Sequence, residues 1–454
     1  MTDLRPDSRT LYRSGESPFH QRAAFTGGDV PVAVYGLGKM GLPLAAVYAD
    51  VTGNTIGVDV DPEVVAQIND GDSPIIQEPG LPDLVADVVD RGAFRATTSG
   101  EEAASRAAVH VVIVPTLLTD GREPDLSMLR EVVGTIGQGL SPGDLVVIES
   151  TVPPRTTEDV VVPALSAESG LDPEAFGAAA CPERTVSGQA LADIQGTHPK
   201  VVGGVDAEST RIAGMLYDEI SSNRVFEVAD ATTAEAVKVF EGVYRDVNIA
   251  LANQLALYAR KLDIDVTDAI DVANTQPFCE IHDPGPGVGG HCIPVYPYFL
   301  SGAFEADSDL LDTAREMNDR MPSHTVAMLE AVLDAHGQPI EGSEILLLGL
   351  TYKAGIDELR NAPAVPIARQ LDDRGATVRG ADPVLSDWES VDVEQVPIDS
   401  VTDRDPDAVV VVTPHESIRA VDYDAVDAPI LDGRGALDAD AVDGPVYRIG
   451  GRWP

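Results

Sequence analysis

Residues 30–49 read VPVAVYGLGKMGLPLAAVYA, and they carry the clearest structural signal in the chain. A β-prone apolar segment, Pro31–Tyr35, leads into the glycine turn Gly36–Gly41, and the apolar helical segment Leu42–Ala49 follows it. Spaced glycines permit a tight turn and let a pyrophosphate approach the backbone at the N-terminus of the helix. The pattern therefore predicts a dinucleotide-binding βα unit, with a phosphate-free strand–turn–helix as the alternative.

The next apolar strands add polar groups where such a unit needs them. The segment Asn54–Val60 brings Asp59 to the end of a predicted strand, where a carboxylate binds the ribose hydroxyls of NAD and repels the extra phosphate of NADP. Two further predicted strands, Val109–Val114 and Leu145–Ser150, end beside threonines, and ligands bind at the carboxyl ends of parallel strands. NAD is the expected cofactor, and its expected contacts are Gly36, Gly38, Lys39, Met40, Gly41, Asp59, Thr116 and Thr151.

Beyond residue 230 the apolar pattern changes its period twice. Spacings of three and four predict one long helix over Thr233–Leu262, and a second alternation of strands and helices begins after Leu329. The predicted elements of this second part are the strands Glu344–Gly349, Thr377–Asp382, Ala408–Thr413 and Pro429–Asp432 and the helix Pro363–Asp373. We therefore expect an α/β protein with two Rossmann-like lobes joined by a long central helix and a helical segment. The expected boundaries are 1–30 for a flexible leader, 31–225 for the NAD-binding Rossmann domain, 226–328 for the central helical domain with the Cys292 loop, and 329–454 for the second Rossmann-like domain.

The charge of the chain points to an unusual solvent. The sequence has 75 acidic and 31 basic residues, which gives a formal net charge of −44. A carboxylate-rich surface stays hydrated in concentrated salt, where screening weakens self-repulsion, so we expect a halophilic protein. Because the acidic residues are spread along the chain, binding to basic partners is the weaker alternative, and nucleic acid is not an expected partner. The lysines are few: Lys39, Lys200, Lys238, Lys261 and Lys353.

Cysteine content and hydropathy indicate the compartment. The cysteines are Cys181, Cys279 and Cys292, an odd and sparse set that is typical of a reducing environment. No apolar run reaches the roughly 18 residues that a membrane span needs, and the first 30 residues lack the apolar core of a signal peptide. We expect a cytoplasmic protein without membrane insertion.

A glycine-rich loop, Pro284–Pro294, reads PGPGVGGHCIP and ends beside Cys292. Glycines allow close approach of a ligand and prolines stiffen the segment, so Cys292 is a candidate nucleophile on a rigid loop. The alternative is a small buried apolar side chain, the usual environment of an unpaired cysteine. A zinc site built from Cys279, His282, His291 and Cys292 is disfavoured, because we expect the adjacent side chains of His291 and Cys292 to diverge. No metal is expected.

The ordered motifs of the chain resemble those of the nucleotide-sugar 6-dehydrogenases, the family of UDP-glucose and UDP-N-acetylhexosamine dehydrogenases. The resemblance extends from Val30 to the C-terminus. Its motifs are Gly36–Gly41, Glu78–Leu81, Glu149–Pro153, Cys181–Arg184, the helix with Lys238, the Cys292 loop, Gly349–Lys353, Asp357 and Arg360. The resemblance implies NAD in the first lobe, a UDP-sugar held against the second, and a homodimer or higher oligomer formed through the central helix.

In this family the C6 alcohol of the sugar is oxidised to a carboxylate with two NAD. The resemblance implies that Cys292 attacks the intermediate aldehyde, and that the thiohemiacetal is oxidised to a thioester, which water hydrolyses. Lys238 would stabilise the developing oxyanion, Thr151 would position the water, and Glu183 would act in base and water chemistry with a pKa raised towards neutrality. The implied catalytic residues are Cys292, Lys238, Glu183 and Thr151, and the implied substrate-binding residues are Glu183, Arg184, Lys238, Arg245, Gly289, Gly290, Lys353 and Arg360.

Two positions depart from the family pattern. Gly242 stands four residues after Lys238, where Asn is common, and Tyr296 stands four residues after Cys292, where Asp is common. Either other groups, such as Asn248 or Tyr296 itself, supply those hydrogen bonds, or catalysis is weakened. A lesser change is Leu117 in place of a proline after Thr116.

The motifs also favour one branch of the family. The forms His291–Pro294 and Cys181–Arg184 are more similar to the N-acetylhexosamine branch than to the glucose branch. UDP-N-acetylmannosamine is the expected substrate, with UDP-N-acetylglucosamine and UDP-glucose as alternatives. Two other classes remain open: a single-step β-hydroxyacid dehydrogenase, against which the second lobe and the Cys292 loop argue, and a non-catalytic protein that binds NAD and UDP-sugar.

Overall fold

The computed structural model describes residues 10–185 and 188–452. They form two compact units: the first comprises residues up to 240 together with 298–304, and the second comprises residues 241–297 together with those from 305 onward. Each unit contains its own mainly parallel β-sheet, which confirms the α/β class with two Rossmann-like lobes.

The sheet of the first unit has the strand order of a dinucleotide-binding fold. Its strands and those of a small hairpin are β1 (Val32–Tyr35), β2 (Thr55–Val58), β3 (Phe94–Thr97), β4 (Val109–Val112), β5 (Leu117–Leu118), β6 (Pro124–Asp125), β7 (Leu145–Ile148), β8 (Gly177–Ala180), β9 (Lys200–Gly204) and β10 (Val225–Glu227). The order across the sheet is β10-β9-β8-β7-β4-β1-β2-β3, with β5 paired only to β6. Only β8 and β9 pair antiparallel within it. The strand order therefore reverses between β1 and β4, where such sheets bind ligands.

Apolar residues on both faces of β1 explain why its sequence is a continuous apolar run. Val32 and Val34 belong to one buried cluster, whereas Ala33 and Tyr35 belong to another on the opposite face. Successive side chains of a strand point to opposite faces, so the strand is covered on both sides. This is the burial expected of the central strand of an α/β sheet.

The helices cover these sheets and connect their strands. In chain order they are α1 (Pro18–Thr26), α2 (Gly41–Thr52), α3 (Pro62–Asn69), α4 (Leu81–Asp90), α5 (Gly100–Arg106), α6 (Ser127–Gly139), α7 (Val162–Ser169), α8 (Ala190–Ala192), α9 (Ala207–Ile220), α10 (Ala231–Ala256), α11 (Ala259–Leu262), α12 (Val266–Ala273), α13 (Tyr298–Ser301), α14 (Asp309–Ala335), α15 (Ala364–Asp372) and α16 (Glu416–Arg419). Within the described ranges, none combines the length and apolar character that crossing a bilayer requires.

The segment before β1 is packed rather than flexible where the structure describes it. Leu11 and Tyr12 are buried, and the Tyr12 hydroxyl donates to Asp206 Oδ2 at 2.6 Å. The helix α1 begins at the Ser17 cap and buries Phe25 in the core of the first unit. The expected flexible leader is therefore wrong for residues 10–30, because apolar side chains scattered among polar ones still find a core; residues 1–9 lie outside the described residues.

The second unit contains a six-stranded sheet in the order β13-β12-β11-β14-β15-β16, and the five neighbouring pairs in it are parallel. Its strands are β11 (Glu344–Leu348), β12 (Thr377–Ala381), β13 (Glu394–Gln395), β14 (Ala408–Val411), β15 (Ile430–Asp432) and β16 (Val446–Arg448). The four predicted strands of this lobe are confirmed as β11, β12, β14 and β15, whereas β13 and β16 were not predicted, and the predicted helix Pro363–Asp373 is α15.

The same kind of turn follows the first strand of each lobe, a similarity that the sequence analysis did not detect. Gly36 (φ +97°) ends β1, and the Leu37 N–H donates to Asp59 Oδ2 at 2.9 Å. Gly349 (φ +78°) ends β11, and the Leu350 N–H donates to Asp382 Oδ2 at 2.7 Å. In both lobes a left-handed glycine turns the chain and the carboxylate of the neighbouring strand fixes the turn.

In the second lobe, the carboxylate of this turn, Asp382, makes further contacts with neighbouring residues. Asp382 also accepts from the backbone and hydroxyl of Thr351, and His415 Nε2 lies 3.2 Å from it. Burial opposes ionisation, but these hydrogen bonds and His415 hold the pKa of Asp382 well below its usual range. This network fixes the start of the loop 349–361.

The long central helix is shorter than predicted. It ends at Ala256, and a separate short helix, α11, begins at Ala259. The Tyr258 N–H donates to the Leu255 carbonyl, three residues back, so the last turn tightens and the regular α-helical bonding is interrupted. Hydrophobic periodicity continues through the interruption, which is why it predicts one helix.

Candidate active site

The glycine turn after β1 leaves open the space that a dinucleotide needs. A β-carbon on Gly36 or Gly41 would overlap backbone oxygens, so glycine is required there for the shape of the turn. A β-carbon on Gly38 would meet nothing within 4 Å, and Gly38 and Lys39 are exposed. Packing does not explain glycine at 38, whereas an open surface at the N-terminus of α2 fits a pyrophosphate. Met40, at the N-cap of α2, accepts from the Thr185 hydroxyl at 3.0 Å.

The carboxylate expected to bind ribose lies at this turn. Asp59 follows β2, is half-buried, and accepts from the backbone N–H groups of Leu37 and Asp61 at 2.9 and 3.0 Å. These bonds hold Asp59 beside the glycine turn with its negative charge in place.

Cofactor selectivity tests this placement of Asp59. The protein is expected to use NAD at least about 100-fold better than NADP in kcat/KM, because a second negative charge beside Asp59 costs several kcal/mol. Steady-state kinetics with both cofactors measures the ratio. Asp59→Asn should reduce it, whereas Asp50→Asn, at an exposed position of the same lobe, should not. Equal kcat/KM for NAD and NADP in the unaltered protein would contradict the ribose assignment.

The ends of β4 and β7 meet beside the point where the strand order reverses, which lies between β1 and β4. The Thr116 hydroxyl donates to the Thr151 carbonyl at 2.5 Å, and Ser150 Oγ donates to the Val114 carbonyl at 2.8 Å. The Val114 N–H in turn donates to Ser150 Oγ at 2.8 Å. The structure therefore brings Thr116 and Thr151 together, as their predicted cofactor role requires, at the carboxyl edge of the sheet.

Behind this edge lies a buried cluster of ionisable groups. Lys200 Nζ is 2.7 Å from Glu183 Oε2 and 3.7 Å from Glu149 Oε2. The Tyr217 hydroxyl donates to Glu149 Oε1 at 2.5 Å. Glu183 Oε1 also accepts from the backbone N–H groups of Arg184 and Thr185, at 2.6 and 2.9 Å. We define the Lys200 cluster as Lys200, Glu183, Glu149 and Tyr217.

The charges in the Lys200 cluster correct one expectation. Burial would raise the pKa of Glu183, but the Lys200 ammonium and the hydrogen bonds lower it to about 2. Burial raises the pKa of Glu149 to about 8, with Lys200 opposing the rise and the charge of Glu183 adding to it. One buried lysine balances one carboxylate, so the second carboxyl keeps its proton. Glu183 is therefore an ionised acceptor and not the near-neutral base expected from its burial alone.

Sequence reasoning missed Lys200. Lys200 opens the buried strand β9 and is itself 2% exposed. The available signal was a lysine in front of an apolar strand in a chain with very few lysines. Its partners lie 17 and 51 positions earlier in the chain, at Glu183 and Glu149, so the pairing could not be found from local spacing.

In the second unit, the glycine-rich loop is hydrogen bonded to three other segments of the chain. Asn253 on α10 accepts from the Gly285 N–H at 2.9 Å, and Arg434 Nη2 donates to the Gly287 carbonyl at 3.0 Å. The Gly290 N–H donates to the Arg360 carbonyl at 2.8 Å, and Asn361 Nδ2 donates to the Gly290 carbonyl at 2.8 Å. Side chains at Gly289 and Gly290 would collide with Tyr352. The glycines therefore allow this loop to lie directly against the loop 349–361.

This packing places Cys292 among charged side chains of the second lobe. Cys292 is half-buried, and its carbonyl accepts from the Val295 and Tyr296 N–H groups at 3.0 Å. The interaction with Cys292 raises the pKa of His291, and the His291 Nδ1 lies 3.6 Å from Glu358 Oε1. Lys353 interacts electrostatically with both Cys292 and Arg245. The second unit therefore brings Cys292, Lys353 and Arg245 together, as their predicted roles require.

Three other predicted residues are each described within their own unit. Lys238 is half-buried on α10, in the part that belongs to the first unit, and Arg360 is exposed on the loop 349–361. The Arg184 guanidinium donates to the Pro199 carbonyl at 2.8 Å. Among residues 10–185 and 188–452, no three His, Cys, Asp or Glu side chains are grouped as metal ligands.

The two departures from the family pattern are in contact with each other. A β-carbon on Gly242 would overlap the ring of Tyr296, which is 7% exposed. The ring thus occupies the volume that any larger residue at position 242 would need. Asn248, the other group considered as a replacement, instead accepts from the His282 N–H at 2.9 Å and donates to the Glu280 carbonyl at 2.6 Å.

The contact between Gly242 and the Tyr296 ring leads us to expect that a larger residue at position 242 destabilises the protein. Gly242→Ala is expected to lower the free energy of unfolding by about 1–3 kcal/mol, because the added carbon forces the buried Tyr296 ring to move. Gly134→Ala is the matched control, since this glycine lies in α6 with open space around it, and it should be neutral or stabilising by up to about 1 kcal/mol. Denaturant unfolding measures both. A Gly242→Ala protein as stable as the Gly134→Ala control would show that the contact is not tight.

The sequence matches all three parts of one protein family. These are the NAD binding domain, the central domain and the UDP binding domain of the UDP-glucose/GDP-mannose dehydrogenase family, over residues 30–221, 232–320 and 346–439. A UDP-N-acetyl-D-mannosamine dehydrogenase of Pyrococcus horikoshii is 35% identical over 89% of this chain and 96% of its own length. An NDP-N-acetyl-D-galactosaminuronic acid dehydrogenase of Ralstonia nicotianae is 35% identical over 90% and 96%. The solved Pyrococcus horikoshii UDP-D-ManNAc dehydrogenase aligns with a TM-score of 0.83 and 34% identity over 93% of this chain and 99% of its own.

Proposed function

The chain belongs to the UDP-glucose/GDP-mannose dehydrogenase family and is an NAD-dependent nucleotide-sugar dehydrogenase, and we propose that its substrate is UDP-N-acetylmannosamine. The relatives named UDP-N-acetyl-D-mannosamine dehydrogenase support this choice of sugar. One structural observation supports oxidation of a UDP-sugar at Cys292: the loop with Cys292 is hydrogen bonded to the loop 349–361, which carries Lys353 and Arg360. A thiol beside a cationic loop suits a phosphate-bearing substrate with an oxidisable group near sulfur.

The proposed reaction converts the C6 alcohol, water and two NAD to a carboxylate, two NADH and three protons. When bound, NAD accepts the hydride in each oxidation. Cys292 adds to the aldehyde formed first, and the resulting thiohemiacetal is oxidised to a thioester that water hydrolyses. Holding the aldehyde covalently keeps it in the site between the two oxidations.

The other residues bind, orient and stabilise. We assign Lys238 to the developing oxyanion and Thr151 to the position of the attacking water. Because Lys200 keeps Glu183 ionised, we assign Glu183 to accepting hydrogen bonds from water or substrate and not to a titration near neutral pH. Arg184, Arg245, Gly289, Gly290, Lys353 and Arg360 are the proposed substrate contacts.

Substrate identity is tested by NADH release in multimolar KCl with UDP-N-acetylmannosamine, UDP-N-acetylglucosamine and UDP-glucose side by side. We expect two NADH per UDP-N-acetylmannosamine consumed, and a kcat/KM at least about 10-fold lower for the other two sugars. If UDP-N-acetylglucosamine or UDP-glucose has the higher kcat/KM, that sugar replaces UDP-N-acetylmannosamine as the proposed substrate. Binding of NAD and UDP-sugar without NADH release would support the non-catalytic alternative.

The same assay tests the proposed halophilic character. The net charge of −44 predicts that activity falls when the protein is dialysed into dilute buffer, because self-repulsion is then unscreened. Full activity in dilute buffer would remove this argument. We also propose that the protein acts in the cytoplasm, since its three cysteines are an odd and sparse set.

A homodimer formed along the central helix is a further part of the proposal. In the second unit, α10 and the turn after it expose Tyr244, Leu251 and Tyr258 at seven-residue intervals, each by 47–49%. A heptad spacing puts large apolar side chains on one helix face, a usual feature of helix–helix association. Sedimentation equilibrium should give twice the chain mass or a multiple of it, and Leu251→Glu should lower that mass.

A further inference from the structure

His291, directly before Cys292, is placed to act on the thiol, and this inference rests on the proposed nucleophilic role of Cys292. The two side chains are neighbours in the chain, and their interaction is the largest influence on the pKa of His291, which it raises. The imidazole Nδ1 also lies 3.6 Å from Glu358 Oε1, within ion-pair distance. An imidazole between a thiol and a carboxylate is an arrangement that moves a proton from sulfur to nitrogen.

The loop geometry holds this arrangement in place. Gly290, which precedes His291, is hydrogen bonded to Arg360 and Asn361, two and three residues after Glu358. The left-handed conformation of Gly290 (φ +85°) turns the chain there, and a side chain on it would collide with the Tyr352 ring. The loop with His291 and the loop with Glu358 are therefore joined at the residue that sets the direction of the imidazole.

The surrounding charges favour an ionised sulfur. Hydrogen bonding to Cys292 raises the pKa of His291, and Glu358 raises it further, while Arg360 opposes this. Lys353 of the loop 349–361 interacts electrostatically with Cys292 and with Arg245 of α10. Burial raises the pKa of Tyr352 to about 12, so its hydroxyl stays neutral beside the sulfur. Cations next to a thiol stabilise the thiolate, which is the nucleophilic form.

We propose that His291 and Glu358 are a thiol-activating pair: His291 accepts the Cys292 proton, and Glu358 holds the imidazolium that results. The proton moves from Sγ to the imidazole, leaving a thiolate and an imidazolium. The thiolate then forms the C–S bond to the aldehyde carbon, and the carbonyl electron pair moves to oxygen. Glu358 is a positioning residue, since it acts through His291.

The test is the pH dependence of Cys292 alkylation by iodoacetamide, followed by mass spectrometry of the Cys292 peptide without NAD or UDP-sugar. A Cys279→Ser background removes the other accessible thiol, because Cys181 is fully buried. We expect a midpoint at least one unit below the free-thiol value of about 8.5. His291→Asn should raise the midpoint by about one unit or more and slow alkylation at pH 7 by about 10-fold, and Glu358→Gln should give a smaller change in the same direction.

Controls separate activation from a general disturbance of the loop. His282→Asn changes another histidine of the same segment, whose ring packs edge-on against Tyr244, and it should leave the midpoint unchanged. Added imidazole should restore fast alkylation to His291→Ala. Two results would overturn the inference. One is an alkylation midpoint for Cys292 in the unaltered site that is at or above the free-thiol value. The other is a midpoint that does not change in His291→Asn.

The outcome is independent of whether the proposed substrate is correct. If alkylation follows the expected pattern but no UDP-sugar is oxidised, the activating pair stands and the proposed function fails. If Cys292→Ser abolishes turnover while His291→Asn leaves the alkylation midpoint unchanged, the proposed function stands and the activating pair fails.

Discussion

Replacing Cys292 with serine is expected to lower turnover by at least about 1,000-fold while leaving NAD binding intact. A serine hydroxyl is nearly the same size as a thiol but is far less ionised, so addition to the aldehyde slows. Any ester that does form hydrolyses much more slowly than a thioester. Stopped-flow measurement should therefore show at most two NADH per site with no steady release after them, and mass spectrometry should find the UDP-sugar attached to residue 292. NAD affinity should not change, because the glycine turn Gly36–Gly41 lies in the other unit.

The other two cysteines are the controls for this prediction. Cys181 is fully buried behind the first sheet and Cys279 is half-buried in the second unit, and neither occupies the proposed nucleophile position. Cys181→Ser and Cys279→Ser should reduce turnover only mildly. Steady release of two NADH per substrate by the Cys292→Ser protein would rule out the covalent mechanism. A loss from Cys279→Ser as large as that from Cys292→Ser would return the zinc-site hypothesis to consideration.

Replacing Lys200 with methionine is expected to destabilise the protein by about 3–5 kcal/mol at pH 7. The substitution keeps most of the apolar stem but removes the only cation within 4 Å that the described structure pairs with Glu183 and Glu149. A buried carboxylate would then lack its counter-charge, and its protonation would be required for burial. Thermal unfolding should show a fall in Tm of roughly 10 °C. Lys200→Arg, which keeps the charge, should recover part of the loss, and an unchanged Tm for Lys200→Met would contradict the ion pair.

The matched variant is Glu149→Gln, which has the shape of the protonated acid. Burial raises the pKa of Glu149 to about 8 in the folded protein, above its ordinary value of 4.5. The folded state therefore binds this proton more tightly, so its stabilising contribution is complete below pH 4.5 and is lost as the pH rises towards 8. Glu149→Gln should match the unaltered protein within about 1 kcal/mol near pH 5 and should lose less stability between pH 6 and 9. Parallel loss in the two proteins would show that Glu149 is already ionised.

Local patterns predicted the fold well because they reflect local physics. The apolar runs at β1, β2, β4 and β7 are the buried strands of a parallel sheet, and the glycine turn between β1 and α2 has few conformational alternatives. The prediction of a flexible leader was wrong for residues 10–30, because burial of Leu11, Tyr12 and Phe25 depends on a surface formed by distant residues. The predicted end of the central helix was wrong, because one three-residue turn at Tyr258 does not alter the apolar periodicity.

The site was only partly predictable for the same reason. Motifs placed Cys292, Thr116 and Thr151 where the structure can use them, and these assignments stay predictions of function. The pKa of Glu183 depends on Lys200, and the contact between Gly242 and Tyr296 joins residues 54 positions apart, so neither is visible in local spacing. Sequence motifs indicate which groups a site contains, whereas charge state and close packing follow from the tertiary contacts.

The packing of residues 10–30 also determines how the protein can be handled in the laboratory. A version trimmed to begin at Val30, at the first residue of the recognisable fold, would remove Tyr12 and its hydrogen bond to Asp206 and uncover the apolar surface now covered by Leu11 and Phe25. Such a protein would be expected to aggregate during purification, and its failure could be mistaken for a salt requirement. Affinity tags attached before Thr10 avoid this difficulty, because the packed segment remains whole.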